Sequence, residues 1–550
     1  MNSRIVQSPY LWMGGVILLI IMLICVAPVT GAETDDQPRF GGKYNLPLSS
    51  EPQSLDPAFI TDIYAVTVAN NVFDGLVEFD DDLNIVPAIA ELWKISRDHK
   101  TYTFQLRQGI TFHNGREVIA EDFVFSISRI LNPDTHSPVA SMFLNIQGAR
   151  EFNEGKTKQI AGLQVLDRYR LRIQLDEPFS PFLSILAMAN AKVIPKEAVG
   201  VDFSRHPVGT GPFKFNSWKT GKEIILTVHE NYYLGRPYLD SLYFQIYPNM
   251  EWEKIFNDFG RGFLEQSIIP SNKYDLITSD PRYRKRFNLV SQPTLNLVYI
   301  GINCHIKALD DVRVRQALSL AVDIDAIVKE ITKRGSIPAK GILPPGIAGF
   351  DPHFKGYGYN PVKARKLLAE AGYPNGNGIP VLECWTVSKS ESVQKELEAY
   401  QKYWAEIGIQ IVPKVADNWK HFIKLINEKK VPLYYAAWYA DYPDPDNFLF
   451  TLCHSESRTN RMGYNNSKID QKLESARREG DYIKRMQIYR EVERLVMEDA
   501  PIIAQHVNSF NYLFQPWVKG IAVSYLGEAY IPFRKIWIDY REIEKSRGEV

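Results

Sequence analysis

The run Trp438-Tyr439-Ala440-Asp441-Tyr442 sets one carboxylate among three large aromatic side chains, and Pro443-Asp444-Pro445-Asp446-Asn447-Phe448 follows directly. An ionised Asp flanked by Trp and Tyr can hold a ligand ammonium by charge, and the ring faces add apolar contact and cation–π attraction of roughly 0.5–2 kcal/mol. The same letters also spell a proline-rich turn in which Asp441 caps a helix and the rings fill a core. At the level of the motif alone both readings stand.

The remaining chemistry is sparse. No Gly-x-x-x-x-Gly-Lys-Ser/Thr phosphate loop is present, and Val208-Gly209-Thr210-Gly211 runs into Pro212 and Phe213 without the third glycine of a dinucleotide fingerprint. His-Glu-x-x-His and Gly-x-Ser-x-Gly are also missing, so neither a zinc protease nor an α/β-hydrolase is supported. The 10 His residues are scattered, and His113 in Phe112-His113-Asn114-Gly115 reads as a turn or core residue. Glu121 with Asp122, or Asp444 with Asp446, could pair for acid–base work. In a chain with 64 Asp and Glu such pairs carry no weight. No catalytic residue, metal ligand or cofactor is expected.

The elements around the motif argue for a mixed α/β body. Residues 431–438 read as a strand, which puts Asp441 at its C-terminal end, where ligands of open α/β sheets gather. Before it, Trp419–Asn427 reads as a helix. Residues 381–386 and 410–412 read as strands bracketing a helix with Val393, Leu397, Tyr400, Trp404 and Ile407 on one face, a βαβ unit closed by Gly408. Asn360 as N-cap, Pro361 at the first turn and Gly372 as terminator bound a helix over 361–371, with Ala364, Leu367, Leu368 and Ala371 inward. Upstream, 40–292 is mostly strands and turns. Tyr102, Phe104 and Leu106 alternate along one strand and Tyr169, Leu171, Ile173 and Leu175 along another. A domain boundary is expected near Gln292-Pro293.

Composition sets the class. At 550 residues the chain needs two or three domains. Hydrophobic residues are 45% and aromatics 12%, enough to fill those cores and line a large ligand cleft. Lys+Arg and Asp+Glu are 64 each, so nothing draws the chain to nucleic acid. Residues 11–29 are almost wholly apolar, preceded by Arg4 and followed by Thr30-Gly31-Ala32 and acidic Glu33, Asp35 and Asp36. This is an export signal, either cleaved after Ala32 or kept as an anchor. Met22, Leu23 and Ile24 before Cys25 lack the small residues of lipoprotein processing. No later segment is long and apolar enough to span a membrane, so the rest is expected to be a body outside the cytoplasm. Cys304, Cys384 and Cys453 are too widely spaced for a disulfide framework or a metal site and read as buried thiols.

Several segments taken in order resemble the family 5 extracellular solute-binding proteins, the oligopeptide- and dipeptide-binding receptors of ABC importers. They are Glu51-Pro52-Gln53-Ser54-Leu55-Asp56-Pro57; Leu106-Arg107-Gln108-Gly109-Ile110-Thr111-Phe112-His113-Asn114-Gly115 with Ala120-Glu121-Asp122 and Phe125-Ser126; Gly209-Thr210-Gly211-Pro212-Phe213; Asp311-Val312-Arg313-Val314-Arg315-Gln316-Ala317-Leu318; and Tyr359-Asn360-Pro361 with Ala371-Gly372-Tyr373-Pro374. The resemblance covers most of the chain after residue 40. It implies a two-lobed periplasmic-binding-protein fold, type II and cluster C-like, with an extra N-terminal subdomain. The division it implies is 1–37 for the signal or anchor, 38–78 with 205–292 and 505–550 for lobe I, 79–204 for the extra subdomain and 293–504 for lobe II.

The resemblance also implies a monomeric receptor, periplasmic or tethered to the inner membrane through 11–29, that traps a peptide and passes it to membrane permease subunits without altering it. Asp441 is then the partner of the peptide α-ammonium, and Trp438, Tyr439 and Ala440 lie along the ligand backbone. His506 falls near a position that faces the ligand in some relatives. Dipeptide-binding relatives hold the ligand carboxylate with an Arg where this chain reads Val387-Ser388-Lys389-Ser390-Glu391-Ser392, leaving Lys389 as the local cation. A metal chelate, haem, glycan or other small molecule is the alternative ligand, and a secreted hydrolase working through cleft carboxylates is a third, weaker reading. Arg313 and Arg315 are expected in solvent or paired with Asp310 and Asp311, and Gly209, Gly211 and Pro212 in a turn near the interlobe connection.

Overall fold

Alternating patterns in the first half fold as half-buried strands. Thr101–Leu106 buries Tyr102, Phe104 and Leu106 while the residues between them stay partly exposed. This strand lies in an antiparallel sheet in the order Ala90–Ile95, Thr101–Leu106, Arg170–Gln174, Leu163–Asp167. The computed structural model describes residues 37–248 and 251–548. The apolar segment 11–29 and the cleavage point after Ala32 lie outside them.

Of three further sheets of three or more strands, the last two carry the site. Lys43–Leu48 pairs parallel with Ser241–Ile246, and Glu223–Val228 and Phe213–Lys219 extend that sheet antiparallel. A three-stranded sheet orders Gln266–Ile268, Ser509–Phe514 and Asn288–Pro293. The largest sheet has six strands, in the order Ile337–Pro338, Ile502–Val507, Asn296–Ile302, Leu433–Tyr439, Leu382–Thr386, Ile411–Val415. Every residue of Asn296–Ile302 is buried, because a separate core covers each face of this sheet: Leu297 and Tyr299 face one, Val298 and Ile300 the other. The expected βαβ unit is present. Leu382–Thr386 and Ile411–Val415 pair in parallel, joined by the helix Glu391–Ala405.

The chain passes between the three- and six-stranded sheets twice, at 293–296 and 507–509, close to the boundary expected at Gln292-Pro293. The two passes are stitched together. The Thr294 N–H donates to the Asn508 carbonyl (3.0 Å), the Asn508 N–H donates to Asn296 Oδ1 (3.0 Å), and Asn296 Nδ2 donates to the Asn508 carbonyl (3.2 Å).

Gly209 and Gly211 pack against the end of the helix Ile63–Val72, the Gly211 N–H donating to the Val72 carbonyl at 2.8 Å. They serve that contact rather than the lobe crossing. A Cβ on Gly209 would collide with the Val72 carbonyl, and one on Gly211 would lie 2.6 Å from the Asn71 carbonyl. Gly209→Ala should cost about 1–3 kcal/mol by thermal or denaturant unfolding. Gly200→Ala, where an added Cβ meets nothing within 4 Å, is the control.

Candidate ligand-binding site

The aromatic run leaves the sheet at Tyr439, the last residue of the strand Leu433–Tyr439, and turns into the helix Pro445–Cys453. Each polar group in that turn has a distinct task. Asp444 is the helix N-cap, accepting from the Asp446 N–H (3.0 Å), and it pairs with the buried Arg485. Asp446, 0% exposed, is held bidentately by Arg477 at 2.7 and 2.9 Å and accepts from the Tyr442 hydroxyl at 3.0 Å. Asn447 Oδ1 accepts from both Trp438 Nε1 (3.1 Å) and the Asp441 N–H (3.0 Å). Asp444 and Asp446 are thus structural ion pairs, not an acid–base couple.

Asp441 is different. Among the described residues its carboxylate accepts one hydrogen bond, the long 3.4 Å contact from Asn447 Nδ2, and no Lys or Arg pairs with it. It is an exposed residue by surface area, yet the surrounding protein strips enough water from its carboxyl to raise its pKa above the ordinary carboxylate range. Its charge acts on Tyr530, a half-buried residue of the C-terminal segment whose ring lies 6.2 Å from that of Phe79. An anion without a counter-ion therefore looks from the six-stranded sheet towards the other half of the molecule.

Beside it the sheet has an open edge. Along one side Leu433–Tyr439 pairs with Asn296–Ile302 over its whole length, whereas on the other Leu382–Thr386 reaches only Leu433 and Tyr434. The Ala440 N–H donates to the Leu295 carbonyl at 2.8 Å, so strict alternation turns the main-chain groups of Ala437 and Tyr439 to the unpaired edge. That edge, residues 435–439, spans about 13 Å, four steps of about 3.3 Å.

A cavity of about 580 Å³ lies along this edge where Val387 and Ser388 leave the sheet. Ile268, Ile269 and Phe510 come from one half of the molecule, and Val393, Trp419 and Phe422 from the other. Tyr439, 57% exposed, and His506, 3% exposed, both line it. Asn508 of the crossing joins them, its Nδ2 donating to the Tyr439 hydroxyl at 3.3 Å and its Oδ1 facing His506 Nε2 at 3.1 Å.

Of the residues singled out from sequence, Tyr439 and His506 share the cavity. Trp438 and Ala440 pack behind the edge against the core, and Asp441 lies just beyond the strand end. Lys389 is exposed and does not line the cavity. The sole Lys or Arg among the described lining residues is Arg334, on a segment where Lys333, Arg334 and Gly335 all have positive φ. Its carbonyl and that of Gly335 are held by Asn511 Nδ2 (2.7 Å) and Ser509 Oγ (2.7 Å). Sequence reasoning missed Arg334, Glu396 and Asn508; the one signal was Lys333-Arg334-Gly335 following a helical run.

Other expectations are resolved plainly. Arg313 pairs with Asp311 at 2.6 Å, but Arg315 is buried and donates to the carbonyls of Leu309, Asp310 and Asp499, each at 2.9 Å, instead of to a carboxylate. His113 is half-buried, its Nε2 3.0 Å from the Gly211 carbonyl, and desolvation of the ring lowers its pKa to about 3. Cys304, Cys384 and Cys453 are free thiols, each with its pKa raised by burial. Among the described residues no three His, Cys, Asp or Glu could hold a metal, and no helix is long and apolar enough to cross a membrane.

Residues 84–460 match the family model of bacterial extracellular solute-binding proteins, family 5 middle. The chain is 29% identical over 506 residues to the dipeptide-binding protein of Escherichia coli, covering 87% of this chain and 91% of that one. It is 31% identical over 523 residues to the heme-binding protein A of Haemophilus influenzae, covering 90% and 92%. In three dimensions it overlays the periplasmic murein tripeptide binding protein MppA in its unliganded open form with a TM-score of 0.79 at 27% identity, covering 91% of this chain and 98% of that structure.

Proposed function

This chain belongs to the bacterial extracellular solute-binding proteins of family 5, with their two-lobed fold, and we propose that it captures peptides outside the cytoplasm and delivers them to the permease of an ABC transporter. It is a transport receptor, not an enzyme. The observation that carries the peptide reading is the pairing of an unpartnered main-chain edge at 435–439 with an uncompensated carboxylate at its end. An extended peptide adds to such an edge as a further strand, its ammonium meeting Asp441 and its backbone meeting Ala437 and Tyr439. Contacts of this kind ignore side chains, so they suit a receptor for many sequences. Arg334 is the cation available to the ligand carboxylate.

Asp441→Asn should weaken binding of a free-amine peptide about 10–100-fold, the equivalent of a hydrogen bond to a charged group. It should leave the N-acetylated peptide nearly unchanged in isothermal titration; equal losses for both would remove the ammonium role. Only ionised Asp441 attracts the ammonium, and burial raises the pKa of its carboxyl. Affinity for the free-amine peptide should therefore hold at neutral pH and begin to fall, as pH is lowered, above the ordinary carboxylate range. The acetylated peptide should show no such fall.

Three further assignments belong to this reading. The strand pairing supports lobe I as 38–78 with 205–292 and the C-terminal residues, lobe II from 293 onward and an inserted subdomain at 79–204, but Ile502–Val507 pairs within the six-stranded sheet, so lobe II extends to the crossing at 507–509 rather than ending at 504. The likeness to an unliganded open form supports closure on binding, which small-angle scattering would register as a smaller radius of gyration. We further propose a monomer held at the membrane or released from it according to the fate of residues 11–29. The heme-binding relative motivates the other reading, a non-peptide ligand in the same cavity. Mass spectrometry of ligand carried through purification separates the two.

A further inference from the structure

The floor of the cavity holds a negative charge without a counter-ion. Glu396 lies on the inner face of the helix Glu391–Ala405 and is 1% exposed, yet it lines the cavity. Its Oε1 accepts from Thr332 Oγ1 (2.8 Å) and Ser392 Oγ (3.4 Å), and its Oε2 accepts from the Tyr435 hydroxyl (2.8 Å) and Gln505 Nε2 (2.6 Å). All four donors are neutral, and among the described residues no Lys or Arg pairs with this carboxylate. Buried carboxylates are ordinarily paired with a cation.

A second, independent feature points the same way. His506 Nε2 faces Asn508 Oδ1, whose amide nitrogen is committed to Tyr439, so Nε2 carries the proton and Nδ1 is a bare acceptor. This Nδ1 is buried and has no partner, and the Oε1 of the neighbouring Gln505 is likewise unpartnered. Burial disfavours the imidazolium, which keeps the acceptor available. A carboxylate lacking its cation and a histidine lacking its donor thus meet at one wall of an open 580 Å³ space.

Resting on the reading that this cavity takes a peptide, we propose that its floor selects peptides carrying a cationic side chain, a lysine ammonium or arginine guanidinium. That group donates to His506 Nδ1 and supplies the counter-charge to Glu396. Tyr439, at the Asp441 end of the free edge, reaches His506 through the Asn508 amide, so a ligand with its ammonium at Asp441 brings its second or third side chain over this floor. An acidic side chain there meets the Glu396 carboxylate and the bare His506 acceptor, the donors of the floor being already engaged by Glu396. Arg334, exposed on the rim, leaves the floor's polarity unaltered.

The test is isothermal titration of the full chain with tetrapeptides of alanine carrying, at the second or third position, lysine, norleucine or glutamate. Norleucine matches lysine in length and lacks its charge. The expected order is lysine at least tenfold tighter than norleucine at one of the two positions, with glutamate weakest. In Glu396→Gln, and separately in His506→Phe, the lysine-to-norleucine ratio should fall towards one; folding of both is checked by thermal unfolding, and either alone suffices. Norleucine equal to or tighter than lysine at both positions overturns this selectivity and leaves the peptide receptor standing. A lysine preference that survives both substitutions overturns the assignment to this floor. If no peptide binds, both readings fall together.

Discussion

Arg477→Ala is expected to lower stability by about 3–5 kcal/mol, the cost of leaving a fully buried carboxylate without its cation. The guanidinium grips Asp446 through two bonds and sits over Phe450, its Cζ 3.0 Å from the ring centroid, with Phe179 of the inserted subdomain at 5.4 Å. Ser180 of the same subdomain donates through its N–H and Oγ to the Arg477 carbonyl, at 2.9 and 3.1 Å. One side chain therefore ties the turn that presents Asp441 to two other parts of the molecule. Denaturant unfolding reads the loss, and peptide affinity should fall with it as the turn loosens. Adding Asp446→Asn to Arg477→Ala should restore part of the stability by removing the stranded charge, so a double mutant no better than the single would contradict this account.

Trp404→Ala should cost a comparable amount, about 3–5 kcal/mol. The ring is fully buried between the helix Glu391–Ala405 and its neighbours, 5.1 Å from Tyr400, and its Nε1 donates to the Leu318 carbonyl at 2.9 Å. Alanine leaves a void and an unsatisfied carbonyl. Phe263→Ala, at a side chain 63% exposed, serves as the comparison and should stay within about 0.5 kcal/mol of the parent. A Trp404 variant that melts like the Phe263 variant would mean the core there repacks freely.

Trp404 also shows what the letters reveal. Local periodicity foretold the buried stripe of its helix, the strand Thr101–Leu106, the Asn360 cap, which accepts from the Lys363 N–H at 2.9 Å, and the span Trp419–Asn427. Those features depend on neighbours three or four residues away. The same stripe hid Glu396, because a charged residue on an apolar face reads as solvated until its partners are known. Three of its four donors, Thr332, Tyr435 and Gln505, come from distant parts of the chain. Arg315 misled in the same way, turning to carbonyls rather than to the adjacent aspartates. The Asn296–Asn508 stitch joins residues 212 apart, beyond the reach of any spacing rule. Asp441 was legible as chemistry, but its freedom from a cation was not: Arg477 and Arg485 engage Asp446 and Asp444 and pass it by.

Asn508 ties the two lobes together and, in the same few ångströms, helps to form the wall against which a guest rests. Tyr439 and His506 belong to the same sheet, so swinging the halves apart at that crossing pulls the Asn508 amide against both of them. Unloading and opening are then a single motion, and a permease that pries the receptor wide needs no separate signal to make it let go.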